Sequence, residues 1–121
     1  MDKDYILQAT EVSAIAQTIP GATPDGINIK VLNIDETRGA PTTITILKPG
    51  ATIPAHYHKH TSETHYVLEG DFINAGISYG LGAFFTHVAG TVHGPHSSMH
   101  GCSVLTVQPT HVDAGDFYIA E

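Results

Sequence analysis

GATIPAHYHKHTSETHYVLEG, residues 50–70, is the stretch whose reading decides the fold. Alternate residues of an extended strand point to one face, so His56 and His58 project their imidazoles in the same direction. Four residues then separate His58 from Glu63, enough for a tight turn into a second strand whose first inward position Glu63 occupies. His65 follows Glu63 on that inward face, and the strand runs on to a turn at Gly70. His60 falls in the turn itself and is expected to be exposed. A second histidine-bearing stretch, VAGTVHGPH, offers His93 as a fourth ligand from a distant strand.

Working outward, INIKVLNI, TTITILKPG, AHYHKH, ETHYVLEG, YGLGAFFTHV and CSVLTVQP are rich in β-branched and aromatic residues and bounded by Gly, Pro, Asn or Asp. The pattern predicts an all-β chain of many short strands. Such chains close into sandwiches or barrels, which hides strand edges that otherwise aggregate. Near the start, ATEVSAIAQTI at residues 9–19 is compatible with a short helix or an arm. The expected organisation is one domain over residues 1–121: an arm at 1–26, a barrel at about 27–110 and a tail at 111–121. With 121 residues and 41% hydrophobic content, one compact core is expected. The formal charge of -7 and the scattered basic residues argue against nucleic-acid binding. No run approaches a membrane span and the N-terminus lacks a basic, apolar leader pattern, so a cytoplasmic protein without membrane contact is expected. Cys102 has no intrachain partner, which excludes an internal disulfide framework, and it is expected in the core.

The spacing Gly50, five residues, His56-Tyr57-His58, four residues, Glu63, six residues, Gly70 resembles the first cupin motif at every fixed position. GAFFTHVAGTVHGPHS resembles the second, with Gly82, Gly90 and His93 in place, while Val88 stands for the usual proline and Ser97 for the usual asparagine. The resemblance spans roughly residues 42–108. It implies a small jelly-roll β-barrel and one divalent metal ion held by His56, His58, Glu63 and His93. VLEGDF and HSSMHGCSVLTVQP further resemble the cupin domain of ChrR-type anti-sigma factors and the dioxygenases that cleave acetylacetone and dihydroxyacetophenone. In the diketone-cleaving members three histidines hold Fe(II) and the glutamate often does not bind. The ChrR-type domain binds zinc and serves regulation. A chain of 121 residues leaves no room for the sigma-binding helical domain beside it, which makes that role the less expected one.

Three imidazoles and a carboxylate leave a divalent ion net positive, and six-coordinate geometry then offers two adjacent positions to a bidentate ligand. The expectation is a metal-dependent cupin dioxygenase cleaving a small diketone, hydroxyketone or phenolic compound, with Fe2+ favoured over Zn2+, Ni2+, Mn2+ or Cu2+. His65 is the candidate catalytic base. The alternatives are a metal-dependent isomerase or lyase, in which the ion polarises a carbonyl, and a non-catalytic zinc-binding sensor. The facing of His87 and His96 depends on strand register, which a slip of one residue reverses. His100 and His111 are expected at the surface, and Arg38 in a solvated loop. Phe84, Phe85, Tyr66 and Tyr79 are read as barrel packing. Open strand edges and the N-terminal arm predict a homodimer.

Overall fold

The computed structural model describes residues 6–33, 41–108 and 115–121. Arg38 and His111 lie outside the described residues. A 3-10 turn at Ala9–Glu11 leads into twelve short strands: β1 (Ile15–Ala16), β2 (Ile27–Asn33), β3 (Thr42–Leu47), β4 (Thr52–Ile53), β5 (His56–Tyr57), β6 (Glu63–Gly70), β7 (Phe72–Asn74), β8 (Ile77–Tyr79), β9 (Phe84–His87), β10 (His96–Ser97), β11 (Cys102–Val107) and β12 (Tyr118–Ile119). They form a six-stranded sheet in the order β1-β2-β3-β11-β6-β9, a four-stranded sheet in the order β4-β10-β7-β8, and the pair β12-β5. Every described pairing is antiparallel. This is the all-β jelly roll that the sequence predicts. The segment at residues 9–19 is an arm rather than an α-helix, and its β1 adds an edge strand to β2.

Side-chain alternation positions the site. On β6 the buried residues are Glu63, His65 and Val67, and on β11 they are Cys102, Val104 and Thr106. Pairing sets Thr106 opposite His65 and Val104 opposite Val67. Both strands therefore change from polar to apolar at the same level of the sheet. The apolar end is the core: Ile27, Leu47, Val67 and Val104 from the large sheet meet Ile53 and Phe72 from the small one. Burying each such side chain favours folding by roughly 1.5–3 kcal/mol. The polar end is left for chemistry.

Gly70 must be glycine on steric grounds. Its φ is +80°, and a Cβ there would lie 2.0 Å from the carbonyl oxygen of Gly101, just before β11.

Two of the four aromatics read as barrel packing face the other way. Phe85 packs edge-on against Phe72 and Tyr79, with ring centroids 5.5 and 4.8 Å apart. Tyr66 and Phe84 are instead opposed on the outer face of the large sheet, 40% and 65% exposed. The reason is parity: Tyr66 alternates with the inward His65 and Val67, and Phe84 with the inward Phe85.

Candidate metal centre

His56 and His93 exchange both backbone hydrogen bonds, at 3.0 and 2.9 Å, which fastens the two histidine-bearing stretches together. The Gly90 amide adds a third link by donating to the His58 carbonyl at 2.6 Å. Four ligand atoms, one each from His56, His58, Glu63 and His93, then lie within 4.8 Å of one another, and all four residues are buried. The two-residue spacing of His56 and His58 and the turn before Glu63 thus bring together the set expected from the sequence.

Each histidine is aimed by its backbone surroundings. Nδ1 of His56 donates to the Pro54 carbonyl at 2.7 Å, Nδ1 of His58 to the Asp116 carbonyl, and Nδ1 of His93 to the Thr91 carbonyl at 3.4 Å. A carbonyl only accepts, so the proton sits on Nδ1 and Nε2 is left for the centre. Glu63 Oε1 lies 2.8 Å from His58 Nε2 and 3.4 Å from His93 Nε2, while Gln108 donates to Oε2 at 3.1 Å. Burial opposes the charged form of Glu63, but its contacts with His58 and His93 outweigh this and hold the carboxyl well below its usual range. Burial likewise opposes protonation of His58, yet the Glu63 bond prevails and raises its pKa. His56 is pushed down to about 4, chiefly by burial.

The donor set fits a divalent first-row ion. Atoms held at ~2.1 Å from one ion are at most ~4.2 Å apart, so adjustments of well under an ångström would bring these four into coordination. The buried Nε2 of His93, held at 3.4 Å from Glu63 Oε1 without a well-formed hydrogen bond, points to the same conclusion.

Around this centre lies a cavity of about 270 Å³, whose lining includes Ile19, Pro20, Ile29, Ile53 and Phe117 and contains no lysine or arginine among the described residues. His65 lines it, is 8% exposed, and shares a 3.1 Å hydrogen bond with Thr106, whose hydroxyl is 3.0 Å from that of Thr45. Burial lowers the His65 pKa against the pull of Glu63. His60 and His100 are exposed, as expected. His87 and His96 turn inward: His87 stacks on His93 with ring centroids 4.2 Å apart, and His96 is 4% exposed.

Several contributors were not singled out from the sequence. Gln108 orients Glu63 from 45 residues away. Asp116 accepts from the Lys59 and His60 amides at 2.7 and 2.9 Å, clamping the turn that follows His58. Phe117 stacks on His56 at 4.4 Å. Residues 115–121 of the segment expected as a tail therefore pack onto the centre through β12, and the arm lines the cavity. The alternation in DFYI is the only local signal of that docking, and it names no partner.

Fold and site together define a small cupin with a candidate metal centre. More particularly, the chain belongs to the ChrR cupin-like domain family, whose profile matches residues 10–119. No curated protein sequence matches it at a significant level. Among solved structures it is similar to the polyketide cyclase RemF from Streptomyces resistomycificus, at 23% identity and a TM-score of 0.79 over 100% of this chain and 87% of that one. It is also similar to an acetylacetone dioxygenase from Acinetobacter johnsonii, at 13% identity and a TM-score of 0.74 over 99% and 85% of the two chains. A third likeness is to KdgF from Halomonas sp., at 20% identity and a TM-score of 0.60 over 71% and 82%. These are likenesses of fold. Among the described residues, no helix is long and apolar enough to cross a membrane.

Proposed function

We propose that the protein is a metal-dependent dioxygenase acting on a small chelating carbonyl compound, a 1,3-diketone, hydroxyketone or phenolic ketone. The observation that carries this reading is the set of His56, His58, Glu63 and His93, the first three of which line a largely apolar cavity without lysine or arginine among the described residues. Such a lining suits a neutral or singly charged ligand and disfavours phosphates and multiply charged acids. A divalent ion in this donor set, Fe2+ by preference, supplies Lewis acidity toward two chelating oxygens and the redox-active centre that dioxygen chemistry requires. His56, His58, Glu63 and His93 would hold the ion. His65, steadied by Thr106, would accept a proton from the substrate. Ile19, Ile29, Ile53 and Phe117 exclude water from the reacting group. One structural relative is an acetylacetone dioxygenase, and acetylacetone is a 1,3-diketone.

The protein is further read as a homodimer. β1 and β9 are open edges of the large sheet, and Tyr66, Phe84 and Leu81 expose 40%, 65% and 74% of their surface. A second copy of the chain covering the β9 edge would bury these side chains.

Anaerobic loading with Fe2+, addition of a panel of chelating ketones, and measurement of charge-transfer bands and then of oxygen uptake test the enzymatic reading. Ketone-dependent bands followed by oxygen consumption are expected. A second reading, a zinc-binding regulatory domain, rests on the match to the ChrR cupin-like family. Tightly held native zinc that no ketone perturbs would replace the first reading with the second. Ketone conversion without oxygen uptake would instead mark an isomerase or lyase.

A further inference from the structure

Beside the proposed ligand set, the barrel wall holds three more inward imidazoles. His96 is 4% exposed, lines the same cavity as His56, His58 and Glu63, and has neither ring nitrogen hydrogen-bonded. Its ring centroid lies 5.6 Å from that of His56 and 5.5 Å from that of His93. His87, 5.6 Å from His96 between ring centroids, has one buried and unpartnered nitrogen, Nε2, and His65 is 6.2 Å away. One face of His96 stacks on Phe72 at 5.0 Å. Packing alone would be met as well by phenylalanine, which brings no polar atoms. An unpaired buried donor or acceptor is costly, and His96 carries one of each. Such a group in a ligand cavity is a binding group awaiting its partner.

We propose that His96, with His87 beside it, is a specificity subsite for a third oxygen on the substrate, a hydroxyl adjacent to the pair of oxygens that chelate the metal. A hydroxyl can accept from the N–H of one neutral imidazole and donate to the bare nitrogen of a second, which suits His96 beside His87, whereas a carbonyl can only accept. The short ring separations from His56 and His93 place this hydroxyl next to the chelating pair rather than at a remote end of the molecule. This inference rests on the chelating-substrate reading above and narrows it to polyoxygenated ligands.

The test is equilibrium binding to the Zn2+-loaded protein without oxygen, using tropolone, which has only the chelating pair, and α-hydroxytropolone, which adds one neighbouring hydroxyl. In the native protein α-hydroxytropolone should bind at least tenfold tighter, beyond the twofold statistical advantage of its two chelating pairs. His96→Phe should keep its metal by elemental analysis, bind tropolone as before and lose the preference. His96→Gln, which retains a donor and an acceptor, should recover part of it. The metal-free His96→Phe protein should melt no lower than the native one, because no satisfied hydrogen bond is removed. His96→Leu replaces it if phenylalanine is not accommodated. Equal affinity for the two probes in the native protein, or an unchanged preference in His96→Phe, would overturn the proposal. So would a lower melting temperature in both His96→Phe and His96→Leu, which would mean that an ordered water already satisfies His96. Because these measurements need no turnover, a subsite confirmed in a protein that consumes no oxygen would separate this inference from the dioxygenase reading.

Discussion

At the scale of single residues, strand parity separates two neighbouring histidines. His58 is buried with Nδ1 bound to the Asp116 carbonyl, while His60 is exposed on the turn. His58→Ala should lower metal affinity by well over tenfold, and His60→Ala should leave it within about twofold. Equal losses, read by elemental analysis after dialysis, would refute the alternation. Glu63 poses a subtler question because it sits between His58 and Gln108. Glu63→Gln keeps the size and removes the charge, and we expect affinity to fall about tenfold or more, as for a direct ligand. Full metal retention with altered turnover would place the carboxylate outside the coordination sphere.

At the scale of elements, β12 and the residue before Phe117 hold the histidine-bearing strand in place. β12 pairs with β5, setting Ile119 opposite His56, and the Asp116 carboxylate takes two amides of the following turn. Asp116→Ala should therefore loosen the turn, lowering stability by on the order of 1 kcal/mol and weakening metal binding. Asp116→Asn, which still presents an oxygen, should lie between. A variant with native metal affinity in a competition titration would show that β12 alone suffices. The arm acts on the same cavity: Ile19 packs on the core and lines it, so loss of residues 1–20 would open the site as well as the edge of β2.

At the scale of the whole molecule, enclosure of so many imidazoles couples stability to pH. Burial lowers the pKa of His87 to about 3 and of His96 to about 2. Below ~6.5 the unfolded chain protonates these groups while the folded chain does not, so the unfolded state binds more protons. Stability is then full above ~6.5 and falls as pH drops, by up to ~1.4 kcal/mol per unit for each group. The metal-free protein should melt at a clearly lower temperature at pH 5.0 than at pH 7.5, and His96→Phe should shrink the difference. A pH-independent melting temperature would contradict it. The proposed dimer is tested on the outer face: Phe84→Asp, at an exposed position, should yield monomers by light scattering at micromolar concentration without disturbing the centre.

The one-dimensional pattern determined the all-β class and the shared facing of neighbouring histidines, because both follow from short-range rules, while His93 was assigned to the candidate set only through the cupin resemblance. Alternation with period two puts His56 with His58 and Glu63 with His65, and glycines at fixed distances set the turns between them. The register that Glu63 takes with His87, and His56 with His93, was legible only as spacing that resembled a known pattern. The short strands β4, β7, β10 and β12 carry too few residues to show a period, and they were not read. The inward turn of His87 and His96 was left open because parity needs a reference residue of known facing, which only the assembled sheet provides. Tyr66 and Phe84 show the converse, since aromatic character suggests a core while their parity sends them outward. Gln108 and Asp116 lie 45 and 58 residues from Glu63 and His58, and hydrogen bonds across such distances leave no local trace in a chain. The sequence could thus name the residues of the candidate metal centre, whereas the shape of the cavity, the clamp on those residues and the unpaired histidine beside them were decided by tertiary packing, because each depends on which distant groups the fold brings within reach.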